Sequence, residues 1–145
     1  SLEPFLKVAE ENHGGVFVLA LTSNPQGHEV QQAIGADGKT VSQSILDQLR
    51  ERNAGAAHGG SFGAVVGATL GEIEQDIAID GPLLVPGFGA QGGTVDDLQR
   101  LFGHVLGDII PSTSRGVLTL GPDPIAMRDE AARLNELLGS LEPRG

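Results

Sequence analysis

The chain has 145 residues, of which 39% are hydrophobic, so it is long enough to form one domain with its own core. Its net charge of −10 argues against nucleic acid as a partner, and the absence of cysteine excludes disulfides and thiolate metal sites. No apolar run approaches the roughly 20 residues of a membrane span and no signal peptide opens the chain, so we expect a soluble, cytoplasmic protein with no membrane partner.

Apolar runs alternate with amphipathic segments along the chain. The predicted helices cover 1–12, 40–53, 70–78, 95–107 and 124–141, and the predicted strands cover 16–21, 63–67, 83–86 and 108–111. The first strand lies in a continuous apolar run, which is typical of a strand buried on both faces. Four repeats of strand, loop and helix predict an α/β fold with a parallel sheet and crossover helices.

Each predicted strand ends in small, polar or glycine-rich residues: TSNPQG, GAT, PGFGAQGG and PSTSRG. In α/β folds ligands bind at this carboxyl edge of the sheet. Four such units are half of an eight-stranded barrel, which usually takes roughly 250 residues. A half-barrel leaves two open sheet edges, and we therefore expect a homodimer or pairing with another half.

The stretch LLVPGFGAQGGT, residues 83–94, is the most distinctive loop. Its glycines, Gly89 among them, allow positive φ and close backbone approach, and Thr94 can cap a helix directly behind them. Both features suit an anion such as a phosphate. A glycine-rich connection without a ligand is an equally good interpretation of this stretch alone.

Arg115 is a second candidate for an anion site, because it follows the fourth strand and has Ser114 beside it. Arg115 and Gln91 together indicate a site for a phosphate monoester. Alternatively, Arg115 is an ordinary surface arginine and Gln91 a solvated loop glutamine. Ser23, after the first strand, could contact the polar edge of a ring, or could simply form a turn with Asn24. The four histidines lack metal-ligand spacing, so no metal is expected.

The motifs FVLALTSNPQG, GAVVGAT, LLVPGFGAQGG and STSRGVL, in this order, resemble the C-terminal half of orotidine 5′-phosphate decarboxylases of the mycobacterial type. The resemblance covers residues 1–145 and implies about four βα units of a (β/α)8 barrel. It implies a decarboxylase that converts orotidine 5′-monophosphate to UMP without metal or organic cofactor. It places Gln91 and Arg115 on the substrate phosphate, Ser23 at the pyrimidine edge and Pro86 against the ring.

The family's catalytic lysine and aspartates lie in an A-D-x-K-x-x-D motif that this chain lacks. The resemblance thus implies that the barrel's first four strands are missing, that no catalytic residue lies here, and that the chain alone is inactive. A missing N-terminal half would then be a partner. One alternative is a non-catalytic half-barrel that self-associates and at most binds phosphate esters. Another is a different phosphate-binding barrel enzyme, such as an isomerase or aldolase.

Overall fold

The computed structural model describes residues 2–56, 59–89 and 91–141. The helices are α1 (Glu3–Glu11), α2 (Pro25–Gln31), α3 (Val41–Asn53), α4 (Val95–Phe102), α5 (Arg115–Leu118) and α6 (Pro124–Leu138), with a short 3-10 turn at Leu106–Asp108. The strands are β1 (Val16–Leu21), β2 (Phe62–Val66), β3 (Leu83–Pro86) and β4 (Ile109–Ser112). All four predicted strands are confirmed to within one residue at each end.

The four strands form one parallel sheet in the order β1-β2-β3-β4. Parallel neighbours need a crossover connection, because each chain segment must return to the starting edge of the sheet. Helices α2 and α3 make this return between β1 and β2, and α4 makes it between β3 and β4. The predicted α/β class with a parallel sheet is confirmed.

The helix predicted at 70–78 is wrong, and β2 reaches β3 through an irregular segment. Ile77 and Ile79, two residues apart, are 0% and 1% exposed, which is the period of an extended chain and not of a helix. The Nε of Arg50 on α3 donates a hydrogen bond to the carbonyl oxygen of Ala78 at 2.6 Å. Contacts with α3 therefore hold this segment in place of helical hydrogen bonds.

One face of the sheet packs against the helices and forms the core. Val18, Ala64 and Leu83 lie side by side on this face and are at most 7% exposed. Helix α3 contributes Leu46 and α4 contributes Phe102 to the same core, both with no exposed surface. Burial of this apolar surface is the main source of the chain's stability.

The opposite face of the sheet is only partly covered, and we call it the open face. It consists of the alternate residues Phe17, Leu19, Val65, Leu84 and Ile110. The exposed fraction is 42% for Phe17, 58% for Leu19 and 47% for Ile110. Successive side chains of a strand point to opposite faces, so Phe17 and Leu19 both point to the open face, where little covers them. The prediction that β1 is buried on both faces is therefore wrong.

Helix α6 borders the open face at its β3–β4 end. Leu84 and Ile110 line a cavity together with Leu134 and Leu138 of α6. The β1 end of the open face, with Phe17, lies away from this cavity. No helix in the described part of the chain is long and apolar enough to cross a membrane.

A buried asparagine ties α3 to the sheet. Asn53, 2% exposed, donates from Nδ2 to the carbonyl oxygens of Phe62 at 2.8 Å and Ile79 at 2.9 Å. Its Oδ1 accepts from the backbone N–H of Phe62 at 3.1 Å. A Cβ at Gly60 would lie 1.8 Å from this Oδ1, so only glycine leaves room for the asparagine.

Candidate functional site

The six predicted substrate-binding residues all follow or end strands. In chain order they are Ser23 after β1, Pro86 at the end of β3, Gly89 and Gln91 in the next loop, and Ser114 and Arg115 after β4. Since the strands are parallel, the structure brings all six to the carboxyl edge of the sheet. Ser23 and Arg115 follow the two outer strands, β1 and β4, which are three strand spacings or about 14 Å apart along the sheet.

The turn that carries Ser23 is held by a buried glutamine from α2. Gln31, 9% exposed, accepts from the backbone N–H of Thr22 at 3.0 Å and donates to the Thr22 hydroxyl at 2.8 Å. The same hydroxyl donates to Oδ1 of Asn24. Three side chains therefore fix the backbone on both sides of Ser23.

Sequence reasoning missed Gln31 because it missed α2. The available signal was Asn24 followed by Pro25, since asparagine is a favoured N-cap and proline a favoured first helical residue. Thr69, after β2, was also missed, and its hydroxyl donates to Oγ of Ser23 at 2.9 Å. Ser23 and Thr69 line the same cavity at the carboxyl edge.

The loop after β3 depends on glycine at three positions with positive φ. The φ angles are 101° at Gly87, 76° at Gly89 and 95° at Gly92, where other residues are strained. The N–H of Gly89 donates to the carbonyl oxygen of Gly93 at 2.8 Å, and the N–H of Gly93 donates to that of Gly87 at 3.1 Å. These amides therefore stabilise the loop itself, and the absence of side chains is what leaves room for a ligand.

Helix α4 begins directly after this loop, and its N-terminus is capped by the side chains of Thr94 and Asp97. Thr94 accepts at its hydroxyl from the N–H of Asp97, and Asp97 Oδ2 accepts from the N–H of Thr94, both at 3.1 Å. The pKa of Asp97 is lowered to about 2, mainly by the hydrogen bond from Thr94 and to a smaller extent by the one from Arg100. The positive end of α4 thus already faces an anion, which leaves Arg115 as the stronger candidate for a phosphate partner.

Arg115 differs from the other cationic side chains in its surroundings. Among residues 2–56, 59–89 and 91–141, every other Lys and Arg forms an ion pair with Asp or Glu, and Arg115 forms none. Two residues earlier, the Thr113 hydroxyl is buried without a hydrogen-bond partner in this part of the structure. A Cβ at Gly89 would lie 3.8 Å from that hydroxyl, so the two loops meet here.

Neither lysine follows a strand, and both are paired. Lys7 lies 3.8 Å from Glu11 within α1, and Lys39 lies 2.5 Å from Asp47 of α3. The hydrogen bond and charge of Asp47 raise the pKa of Lys39. Both lysines are therefore engaged by carboxylates of helices, and neither lies at the strand ends where the candidate residues are.

Comparison with known proteins identifies the family. The model of the Orotidine 5′-phosphate decarboxylase / HUMPS family matches residues 1–124. The orotidine 5′-phosphate decarboxylase of Streptomyces coelicolor is 54% identical over 134 residues, which cover 92% of this chain and 48% of the relative. That of a Nocardioides species is 52% identical over 143 residues, which cover 97% of this chain and 52% of the relative.

A solved structure from Streptomyces avermitilis with the same enzyme name superposes with a TM-score of 0.91 at 49% identity. The match covers 97% of this chain and 50% of the solved chain. A UMP synthase of Leishmania donovani matches with a TM-score of 0.63 at 25% identity, over 97% of this chain and 31% of that one.

This chain spans about half the length of the curated relatives it matches. Its four parallel strands correspond to half of the Streptomyces avermitilis structure, which confirms the predicted half-barrel, although no helix follows β2 before β3 in the described part of the chain. The sequence match, the superposition and the order of the motifs agree, and the chain belongs to the orotidine 5′-phosphate decarboxylase / HUMPS family.

Proposed function

We propose that this chain is the phosphate- and pyrimidine-binding half of a carboxy-lyase that converts orotidine 5′-monophosphate to UMP in de novo pyrimidine biosynthesis. Relatives that share its sequence carry the name of this enzyme. Ser23 and Pro86 contact the ring in this proposal. The phosphate end is held by Gly89, Gln91, Ser114 and Arg115.

The observation that carries the proposal is that Arg115 forms no ion pair with any carboxylate in the described part of the chain. The chain has nineteen acidic residues and only nine Lys plus Arg, so an arginine without a carboxylate partner is unexpected. Arg115 is the first residue of α5, the next element after β4, and supports the proposal because α/β proteins bind ligands at this edge of the sheet. A guanidinium offers two parallel N–H donors to a phosphate, which supplies the missing negative partner.

The separation of Ser23 and Arg115 fits an elongated ligand. Three strand spacings are about 14 Å, so one molecule that contacts both must carry its polar ring and its anion at opposite ends. A nucleoside monophosphate has this shape. Inorganic phosphate or a short sugar phosphate would reach Arg115 but not Ser23.

The groups that protonate the ring carbon come from outside this chain in the proposal. Lys7 and Lys39 are both ion-paired and neither follows a strand. Phosphate contacts remote from the reacting bond supply binding energy that orders the site, but they cannot transfer a proton. We therefore expect this chain alone to show no decarboxylase activity.

The missing half is the proposed partner at the open face. Phe17, Leu19 and Ile110 expose apolar surface there, and β1 and β4 have no further strand beside them within the described residues. The alternative of a self-associating, non-catalytic half-barrel rests on the same exposed surface, with a second copy of this chain as its occupant. The predicted homodimer and cytoplasmic location belong to this proposal as well.

Isothermal titration of Arg115→Ala with UMP and with uridine tests the phosphate contact. The assembled protein for this test consists of the chain and the amino-terminal half of the Streptomyces coelicolor relative. A charge-assisted hydrogen bond contributes about 1.5–3 kcal/mol, so Arg115→Ala should weaken UMP binding roughly ten- to a hundredfold and leave uridine binding unchanged. Arg128→Ala, which removes an exposed arginine paired with Asp129, is the matched control.

Equal losses for UMP and uridine would show that Arg115 supports the fold and not the phosphate. The activity assay separates the two functional alternatives. Orotidine 5′-monophosphate should be decarboxylated by the assembled protein and not by this chain alone. Turnover by this chain alone would contradict the assignment of catalysis to the other half.

A further inference from the structure

A hydrogen bond links the ends of β1 and β2 at the carboxyl edge. Oγ1 of Thr69, three residues after β2, donates to Oγ of Ser23 at 2.9 Å. A serine hydroxyl has one proton and two acceptor sites. Because Ser23 accepts from Thr69, its own proton stays available for an acceptor on a ligand.

The side chain of Thr69 lies beside the glycine loop. A Cβ built at Gly87 would lie 3.5 Å from its Cγ2 and 3.7 Å from its Oγ1. The side chain of threonine is stiff at χ1, since two heavy atoms branch from Cβ. The rotamer that places Thr69 beside Gly87 is the one in which its hydroxyl donates to Ser23.

The backbone beneath Ser23 is fixed separately. Gln31 binds the N–H and the hydroxyl of Thr22, as described above. Ser23 itself is exposed, so within the described residues Thr69 is the side chain that restrains its hydroxyl. Backbone and hydroxyl of Ser23 thus have two different supports.

We propose that Thr69 is a positioning residue that directs the Ser23 hydroxyl toward the polar edge of the pyrimidine ring. This inference rests on the proposed function, since it requires that Ser23 contacts the ring. In this inference Thr69 acts through Ser23. Its removal should therefore weaken only ligands that carry the ring.

The test uses Thr69→Val and Thr69→Ser in the assembled protein, titrated with UMP and with ribose 5-phosphate. Valine keeps the branched shape and loses the hydroxyl, whereas serine keeps the hydroxyl and loses the methyl group. Thr69→Val should weaken UMP binding about three- to tenfold and leave ribose 5-phosphate binding unchanged. Thr69→Ser should lie between the wild type and Thr69→Val.

A double-mutant cycle with Ser23→Ala completes the test. In the Ser23→Ala background, Thr69→Val should cause no further loss of UMP affinity. The inference is overturned if Thr69→Val binds UMP like the wild type, if it weakens ribose 5-phosphate equally, or if its effect persists without the Ser23 hydroxyl. Failure of the unsubstituted protein to bind UMP would remove the proposed function as well, whereas UMP binding that Thr69→Val leaves unchanged would remove this inference alone.

Discussion

The two faces of the parallel sheet are built from similar residues and have different surroundings. On the helix-covered face, Val18, Ala64 and Leu83 are nearly inaccessible to solvent. On the open face, Phe17 and Leu19 expose about half of their surface. Composition alone does not distinguish the two faces, since both are apolar. The difference indicates that one face stabilises this chain by itself, and in our proposal the other face stabilises an assembly.

The largest effect should come from the same substitution made on each face. Phe102→Ala removes a fully buried ring from the core and should lower the free energy of unfolding by about 4 kcal/mol. Phe17→Ala removes a ring that is 42% exposed and should cost about 1–2 kcal/mol. Urea denaturation followed by far-UV circular dichroism measures both. Similar losses for the two variants would contradict the distinction between the faces.

The connection between α3 and the covered face should give the second largest effect. Asn53→Ala leaves a buried N–H and two carbonyl oxygens without partners and should cost about 3 kcal/mol. Asn135→Ala, at an exposed position of α6, should change the free energy of unfolding by less than about 0.5 kcal/mol. The same urea titration applies. A small effect at Asn53 would mean that water replaces its hydrogen bonds.

A substitution on the open face should affect assembly more than stability. Leu19→Ala should lower the urea midpoint of this chain only slightly, since the side chain is 58% exposed. It should weaken association with the proposed amino-terminal half by about 1 kcal/mol, because only the exposed part of the side chain is left to be buried. Analytical ultracentrifugation or titration of the two halves measures the association constant. Unchanged association would show that the open face is not the contact surface.

The smallest effect concerns the start of α4 and appears as a pH dependence. The pKa of Asp97 is lowered from its ordinary 3.8 to about 2, mainly by the hydrogen bond from Thr94. A carboxyl whose folded pKa is lowered stabilises the protein above its unfolded pKa, and this contribution is lost as pH falls through the folded pKa. Asp97→Asn should therefore lower the urea midpoint at pH 7, and its difference from the wild type should shrink between about pH 4 and pH 2.

Asp96→Asn is the control for that titration. It removes a charge from the same helical turn, where Asp96 is exposed, whereas the capping box consists of Thr94 and Asp97. Its midpoint should lie nearer to the wild type than that of Asp97→Asn at pH 7. A difference for Asp97→Asn that stays constant down to pH 2 would exclude the carboxylate as the stabilising group.

The strands could be predicted from the sequence because each is a short apolar run that ends at polar or glycine residues. The conformation of the segment around Ile77 could not be predicted, since its apolar spacing is compatible with a short helix. The extended conformation depends on a hydrogen bond from Arg50 of α3, which is far away in the sequence. The exposure of the Leu19 side chain could not be predicted from the sequence either. Sequence patterns reveal apolar residues, but they do not reveal whether this chain supplies the surface that covers them.

The positions of the six candidate residues could be predicted because strand ends determine them. The contacts that support them could not, because Gln31 and Thr69 reach the Ser23 turn only after the sheet and α2 are in place. The helix end behind the glycine loop was expected to attract an anion. The Asp97 carboxylate already lies there, and the same capping pattern of Thr94 and Asp97 was visible in the sequence.

Arg115, which forms no ion pair within the described residues, has a consequence for binding kinetics. At long range a chain of net charge −10 repels a doubly charged nucleotide, and only at short range does Arg115 attract it. Added salt screens the distant repulsion more than the close contact. For this half of the protein, moderate ionic strength should therefore speed the encounter with UMP, while the lifetime of the bound state should depend on Arg115.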